Sequence, residues 1–213
     1  MRFRAVVIDV DSTLVGLEGI DWLASRRGPE LAQEVARLTT RAMEGEIPLE
    51  QVYGLRLAMI APSREDIGAL SAAYRNAVAQ GAAVAIRRMR DAGVSVTLVS
   101  GGIREAILPL ARELGLPASA VHAVSVRFDA SGAYAGYDAR SPLATQGGKE
   151  SIVRDLALPR PVLAVGDGAT DAAMRGAADA FGAFTFFVRR PAVIAAADLD
   201  IHSFARLAEL VLE

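Results

Sequence analysis

The chain has 213 residues, 52% of them hydrophobic, which suffices for one large domain or for a core with a smaller insert. Its formal net charge of −2 shows no basic excess, so neither nucleic acid nor an anionic membrane is expected as a partner. The absence of cysteine excludes disulfides, thiolate metal sites and a cysteine nucleophile.

The start of the chain gives no secretory signal, because the apolar run at residues 5–8 is interrupted by Asp9. No run approaches the apolar length needed to span a bilayer. We therefore expect a cytoplasmic protein with no membrane partner. A monomer and a homodimer both remain open.

Three short, almost continuous apolar runs predict strands at residues 3–8, 94–99 and 162–165. Such runs are typical of strands buried on both faces of a parallel sheet. Helical patterns lie between the strands, and this alternation predicts an α/β fold with a doubly wound, Rossmann-like parallel sheet. The predicted helices lie at residues 84–91, 104–114 and 151–156.

One long stretch interrupts the alternation of strands and helices. Residues 16–74 are almost wholly helical in pattern, and Ser63 to Asp66 resemble a capping box. We expect a small helical cap here, inserted after the first strand into a core made of residues 1–15 and 75–213. A second irregularity, at residues 123–144, predicts a small β-hairpin.

A polar cluster follows each predicted strand: residues 9–13 (DVDST), 100–102 (SGG) and 166–171 (GDGATD). In an open α/β sheet, ligands bind beyond the carboxyl ends of the strands, so these clusters should converge. Four carboxylates in one crevice repel each other unless a cation lies among them, and oxygen ligands suit Mg²⁺. The pattern therefore predicts a magnesium site.

Asp9 and Asp11 are the candidate reactive carboxylates. They are two residues apart, so both side chains lie on one side while the strand continues. Such pairs are common on surface loops, but Asp9 directly ends a buried strand. A carboxylate at that position can attack phosphorus and form an acyl phosphate. The second carboxylate can protonate the leaving alcohol and later activate water.

Ser100, Gly101, Gly102 and Lys149 are the candidate phosphate-binding groups. Glycines at a strand-to-helix junction allow a tight turn whose N–H groups point at an anion, although a simple turn with an N-capping serine is an equal alternative. Lys149 opens a predicted helix at residues 149–157, where its charge opposes the helix dipole. Phosphate binding by this lysine therefore competes with the alternative of a solvated side chain.

Asp167 is the candidate metal ligand of the third cluster. Asp171, four residues later, is a candidate for holding a metal-bound water or for orienting Lys149. The alternative is that Asp171 only caps the following helix. The arginine pairs at residues 26–27 and 189–190 are interpreted as solvated surface.

Taken together and in this order, the clusters resemble the motifs of the haloacid dehalogenase superfamily. Residues 9–13 match its first motif, D-x-D-x-[TV], and Asp11 marks the phosphatase branch, because dehalogenases lack an acid/base carboxylate there. The resemblance implies a Mg²⁺-dependent phosphatase with Asp9 as nucleophile and Asp11 as acid and base. The implied metal site contains Asp9, Asp11 through its main chain, and Asp167, with Asp171 in support. The remaining motifs are matched by Ser100, Lys149 and residues 166–171.

Within the superfamily, nearly the whole chain resembles the phosphoserine phosphatase family. Residues 9–15 (DVDSTLV) look like that family's D-F-D-S-T-L-V. The segment at 186–190 (FFVRR) departs from the family's glycine-bearing pattern at the C-terminal edge of the sheet. The segments that resemble the family's cap lie at residues 42–45, 56–58 and 62–65.

This second resemblance implies that the substrate is L-phosphoserine. By the same resemblance, Glu18 would bind the ammonium group and Arg56 the carboxylate, which arginine can hold with two hydrogen bonds. Met43 would pack over the substrate, although it can equally be an ordinary core methionine of the cap. Thr170 is also assigned to the substrate site.

Four rival functions remain open. A related phosphatase could act on phosphohomoserine or on a phosphosugar, and a phosphotransferase could pass the phosphoryl group to a second alcohol. A receiver-type signalling module also uses a phosphorylated aspartate, but such modules lack a cap and a carboxylate at the position of Asp11. A non-catalytic binding protein on the same fold would bind a phosphate ester without releasing phosphate.

Overall fold

The computed structural model describes residues 2–43 and 46–213, without the side chains of residues 42, 43 and 49. Six parallel strands form one sheet in the order β3-β2-β1-β6-β7-β8. The predicted α/β fold with a parallel sheet is therefore confirmed. The strands of this sheet are β1 Ala5–Ile8, β2 Ser95–Ile103, β3 Val121–Val124, β6 Val162–Gly166, β7 Ala180–Phe184 and β8 Leu199–Ile201.

Helices cover the sheet. Among them, α5 packs against β2 and α10, and α6 packs against β3. Gly93 and Gly115 follow α5 and α6 and have φ angles of +82° and +73°. This is the left-handed backbone conformation that a glycine adopts when it caps the C-terminus of a helix. The helices are α1 Gly19–Ser25, α2 Pro29–Met43, α3 Leu49–Ile60, α4 Arg64–Asn76, α5 Ala82–Asp91, α6 Arg104–Glu113, α7 Gly148–Asp155, α8 Ala169–Ala172, α9 Pro191–Ala196 and α10 Phe204–Leu212.

The centre of the sheet is apolar because β1 and β6 lie side by side between other strands. Every residue of β1 is 0% exposed, and all five residues of β6 are buried. Burying a valine or isoleucine side chain contributes about 1.5–3 kcal/mol, so this short strand is held firmly in register. The residue that follows it, Asp9, is thereby delivered to a fixed position at the carboxyl edge.

Four helices lie between β1 and α5, in the stretch where the sequence predicts a cap. α1 packs against α2, α3 and α4, while α4 also packs against α6. The capping box at the start of α4 is present: Asp66 N donates to Ser63 Oγ at 3.2 Å, and Ser63 N donates to Asp66 Oδ2 at 2.9 Å. The division into core and cap stays a prediction, and α4 crosses its proposed boundary at residues 74–75.

The predicted hairpin is present as a separate two-stranded antiparallel sheet, β4 Val126–Phe128 and β5 Tyr134–Tyr137. It touches the helical segment, because the rings of Tyr53 in α3 and Tyr137 in β5 lie 5.3 Å apart. In the described part of the chain, no helix combines the length and the hydropathy that a membrane span requires.

Candidate active site

The three polar clusters converge at the carboxyl edge of β1, β2 and β6. Ile8, the last residue of β1, is paired with Leu98 of β2 on one side and with Val165 of β6 on the other. The chain order reverses between β1 and β6, so a crevice opens there beyond the strand ends. Asp9 follows β1 directly, and Asp167 follows β6 directly.

Lys149 bridges two carboxylates inside this crevice. Its Nζ lies 2.6 Å from Asp9 Oδ1 and 2.5 Å from Asp171 Oδ1, and all three residues are at most 8% exposed. Desolvation lowers the pKa of Lys149, but the charges of Asp171 and Asp9 outweigh it and raise the pKa overall. Lys149 therefore stays cationic, and it is the only lysine among the 213 residues.

A glycine allows Lys149 to reach this position. α7 begins at Gly148, where an added β-carbon would lie only 1.7 Å from the carbonyl oxygen of Pro142. Only a residue without a side chain permits this approach of two backbone segments. The glycine at position 148 thus has a steric reason, and this close approach brings the lysine at the helix start into the crevice.

Asp171 is also positioned by a glycine. A β-carbon at Gly166 would lie 2.2 Å from Asp171 Cγ, so the carboxylate occupies the space that a side chain would fill. Asp171 Oδ2 accepts a hydrogen bond from Gly168 N at 2.8 Å, and Oδ1 accepts from Lys149. The two interpretations of Asp171 are therefore compatible, since the same carboxylate caps α8 and contacts the lysine.

Three carboxylates form a group that suits a metal ion. One oxygen from each of Asp9, Asp167 and Asp171 lies within 4.8 Å of the other two, and all three residues are buried. Desolvation, followed by the charge of Asp171, raises the pKa of both Asp9 and Asp167. A hard divalent cation would relieve this repulsion, and an all-oxygen donor set fits it. The residues present therefore fit the predicted cofactor.

The carboxylate of Asp11 lies outside that group and has other partners. Its Oδ1 accepts a hydrogen bond from the Tyr74 hydroxyl at 2.7 Å, and its Oδ2 accepts one from Gly19 N at 3.2 Å. Desolvation, followed by the charge of Glu18, raises the pKa of Asp11 to about 7, although the bond from Tyr74 opposes the shift. A carboxyl group with that pKa can both donate and accept a proton near neutrality.

The segment of Ser100 differs from the prediction of a tight turn. β2 continues through these residues to Ile103, and its register with β3 shifts between Val99 and Ile103. The two glycines permit this irregular strand end, as glycines do at bulges. Gly102 N donates to Ser100 Oγ at 2.9 Å, so this N–H already has a partner inside the segment.

The residues predicted to bind the amino acid lie in the helical segment, Arg56 in α3 and Glu18 directly before α1. Ser12 Oγ donates to Glu18 Oε1 at 2.6 Å, and desolvation of this carboxylate raises its pKa. Arg56 Nη1 donates to Thr39 Oγ1 at 3.1 Å. Its buried Nε has no hydrogen-bond partner within the described residues. The Met43 side chain lies outside the described part of the chain, so its contact with the substrate stays a prediction.

Several contacts of this site were not predicted. Arg190, interpreted as solvated surface, instead donates from Nε to Asp167 Oδ2 at 3.1 Å, because the chain after β7 passes beside the crevice. Thr13, 0% exposed, donates to the other oxygen of Asp167 at 3.2 Å. Tyr53 donates to the Gly101 carbonyl at 2.9 Å. Thr170, half-buried in α8, stays a predicted substrate contact.

The other predicted surface arginines also have partners. Arg27 donates to the carbonyl of Ile60 at 2.9 Å and to Asp66 Oδ2 at 2.6 Å, so it links the end of α1 to α3 and α4. Arg26 lies 5.0 Å above the Trp22 ring, while Arg189 pairs with Asp200. Arg26, Arg27 and Arg189 are exposed, as predicted. The contact of Arg190 with Asp167, 23 residues away, gave no local signal.

Comparisons with known proteins agree with this geometry. A family model described as haloacid dehalogenase-like hydrolase matches residues 3–179. A phosphoserine phosphatase of Mus musculus is 38% identical over 183 residues, which cover 84% of this chain and 80% of the relative. A phosphoserine phosphohydrolase-like protein from Francisella tularensis has a TM-score of 0.84 at 25% identity, over 98% of this chain and 99% of that one. A structure of a phospho-aspartyl intermediate analogue of phosphoserine phosphatase has a TM-score of 0.75 at 27% identity, over 95% of each chain.

Proposed function

The chain belongs to the haloacid dehalogenase-like hydrolase family, and on that premise we propose that it hydrolyses L-phosphoserine to L-serine and phosphate through an aspartyl-phosphate on Asp9. The observation that carries the proposal is the buried cluster in which Lys149 bridges Asp9 and Asp171 while Asp11 stands beside them. A nucleophile, a proton donor and a fixed cation are thereby held in one crevice.

The reaction divides into two transfers of the phosphoryl group. In the first, a carboxylate oxygen of Asp9 forms a bond to phosphorus while the bond from phosphorus to the serine oxygen breaks. Asp11 gives its proton to that serine oxygen, so L-serine leaves neutral at its hydroxyl. In the second, a water oxygen forms a bond to phosphorus and passes a proton to Asp11 while the bond from phosphorus to the Asp9 oxygen breaks, which frees Asp9 and releases phosphate.

The surrounding groups hold the phosphoryl oxygens. Ser100, with the main chain of Gly101 and Gly102, and Lys149 are proposed to bind them, consistent with catalysis by positioning and electrostatics. Mg²⁺ bound to Asp9, Asp167 and the main chain at Asp11 would offset phosphate charge. Asp171, in contact with Lys149, would orient this lysine and support the metal site.

The substrate's amino-acid portion is proposed to lie against Glu18 and Arg56, which offer one partner of each sign. The buried Nε of Arg56, which has no partner in the part of the chain that the structure describes, favours a carboxylate ligand, because a buried donor without a partner is costly. Met43 and Thr170 are proposed to complete the substrate site. Residues 16–74 would act as a cap that excludes water over a core of residues 1–15 and 75–213.

The direct test measures phosphate release from L-phosphoserine with and without Mg²⁺, beside phosphohomoserine and a sugar phosphate. We expect a Mg²⁺-dependent preference for phosphoserine, and loss of turnover in Asp9→Asn. Asp91→Asn, an exposed change at the end of α5, is the matched control and should retain wild-type turnover. An Asp9→Asn variant with near-full turnover would overturn the mechanism.

The other outcomes separate the rival functions. Activity on another ester alone would keep the mechanism and change the substrate, and a phosphorylated product formed in the presence of a second alcohol would indicate a phosphotransferase. A stable phospho-aspartate without turnover would favour a signalling module. A cytoplasmic location and a monomeric or homodimeric state belong to the same proposal.

A further inference from the structure

Tyr74 is a buried residue that contacts the proposed acid/base group from outside the catalytic motifs. It lies in the last turn of α4, its side chain is 0% exposed, and its hydroxyl donates to Asp11 Oδ1 at 2.7 Å. α4 itself is anchored to the sheet layer, since it packs against α6 and Arg75 pairs with Glu113 at 2.8 Å. The hydroxyl is therefore delivered from a fixed helix.

Two glycines leave the space that this hydroxyl occupies. A β-carbon added at Gly19 would lie 2.1 Å from the Tyr74 hydroxyl oxygen, far inside van der Waals contact. A β-carbon at Gly102 would lie 3.3 Å from the same hydroxyl oxygen. Gly19 and Gly102 therefore flank the Tyr74–Asp11 hydrogen bond without side chains, and the phenol ring reaches the carboxylate between them.

The two oxygens of Asp11 consequently have different surroundings. Oδ1 accepts the short bond from Tyr74, whereas among the described residues Oδ2 accepts one bond, of 3.2 Å, from Gly19 N. Oδ2 is also the oxygen that approaches the phosphate segment, because a β-carbon at Gly102 would lie 3.3 Å from it. Oδ2 is therefore the oxygen that is available to carry the proton that Asp11 would exchange with substrate or water.

We propose that Tyr74 is a positioning residue for Asp11, holding Oδ1 so that Oδ2 faces the reacting oxygen. The inference rests on the proposed function, because it assumes that Asp11 is the acid and base. It is not a contact to substrate: Tyr74 acts through Asp11. Because a carboxylate can otherwise rotate about its Cβ–Cγ bond, loss of the hydroxyl should reduce the fraction of time that Oδ2 is aligned.

The test uses Tyr74→Phe, which removes only the hydroxyl, in the Mg²⁺-loaded enzyme. Formation of the phospho-aspartate is followed in single turnovers with L-phosphoserine and with p-nitrophenyl phosphate. We expect formation from phosphoserine to slow by about 10- to 100-fold, with KM changed less than about 2-fold. Formation from p-nitrophenyl phosphate should change far less, because nitrophenolate leaves without taking up a proton.

Two controls separate positioning from a general loss of structure. Ser71→Ala removes another buried hydroxyl of α4, one without a hydrogen-bond partner among the described residues, and should keep wild-type rates. Lys149 is the only lysine, so lysine labelled with ¹³C at Cε gives a single NMR signal from the site. Tyr74→Phe should move this signal far less than Asp9→Asn does, because Lys149 contacts Asp9 and Asp171 rather than Asp11.

Each result decides between the two proposals. If Tyr74→Phe keeps wild-type rates while Asp11→Asn is slow, the positioning role is wrong and the proposed function stands. Equal slowing with both esters, or a lysine signal shifted as far as in Asp9→Asn, would likewise overturn it. Should Tyr74→Phe not fold, Gly19→Ala must show the same dependence on the leaving group, because its β-carbon displaces the hydroxyl. If the wild-type protein phosphorylates Asp9 from neither ester, the proposed function falls and the positioning role falls with it.

Discussion

Replacing Lys149 with methionine tests whether the buried ion pairs hold the crevice together. The side chain of Lys149 is 10% exposed, and those of its partners Asp9 and Asp171 are 5% and 2% exposed. Removing one member of a buried pair costs about 3–5 kcal/mol, because a charge stays buried without compensation. For a chain of this length, about 1 kcal/mol shifts Tm by roughly 2–4 °C, so we expect Tm to fall by roughly 6–20 °C.

The assay is thermal unfolding in a metal chelator, so that no cation replaces the lysine. The matched control is Arg154→Met on the same helix, which breaks an exposed i,i+4 pair with Glu150 and should cost only about 0.3–0.5 kcal/mol. Desolvation raises the pKa of Asp9 and the lysine opposes this shift, so without the lysine this carboxyl binds more protons folded than unfolded. The loss of stability in Lys149→Met should therefore shrink as the pH falls from 8 to 5.

A Tm within about 2 °C of wild type at pH 8 would refute this reasoning. So would a Tm loss no larger than that of Arg154→Met, since the pairs would then contribute no more than an exposed one. A loss of stability in Lys149→Met that grows as the pH falls would contradict the expectation that the buried carboxyl binds a proton more readily in the folded protein.

Two further predictions concern local geometry. Gly166→Ala should lower the stability by about 1–3 kcal/mol, and with it both Tm and turnover, because the added β-carbon meets Asp171. The control is Gly68→Ala in α4, where a β-carbon would meet nothing within 4 Å; it should slightly stabilise the protein in the same melting assay. Ser63→Ala should cost about 1 kcal/mol, or roughly 2–4 °C in Tm, by removing the N-cap of α4. Desolvation raises the pKa of Asp66, but hydrogen bonds from Ser63 and Arg27 outweigh it and lower the pKa below its usual value. The part of the stability that comes from this carboxylate is therefore fully present above the usual pKa of aspartate and is lost as the pH falls through the lowered one, so a Ser63→Ala effect that grows as the pH falls would contradict the assignment.

The sequence alone was sufficient for the three adjacent strands β2, β1 and β6 and for the convergence of the polar clusters at their ends, whereas β3, β7 and β8 were not predicted. The strands ending before Asp9 and Asp167 are continuous apolar runs, and burial on both faces is a property that such runs show locally. Parallel strands place their carboxyl ends at one edge, so the convergence of the polar clusters follows from connectivity rather than from detailed packing. The capping box at Ser63 and the hairpin at β4 and β5 depend on local hydrogen bonds, and they too were predictable.

Only the tertiary structure revealed the partners of these groups. Tyr74 lies 63 residues from Asp11, and Arg190 lies 23 residues from Asp167, in segments whose local pattern is that of a helix and of a surface loop. Such contacts arise when separate layers pack, so no periodicity or spacing encodes them. The extension of β2 through Gly101 and Gly102 has the same origin, because pairing with β3 outweighs the turn preference of two glycines. Local chemistry therefore determined which residues gather at the sheet edge, and packing between distant segments decided how each carboxylate is held.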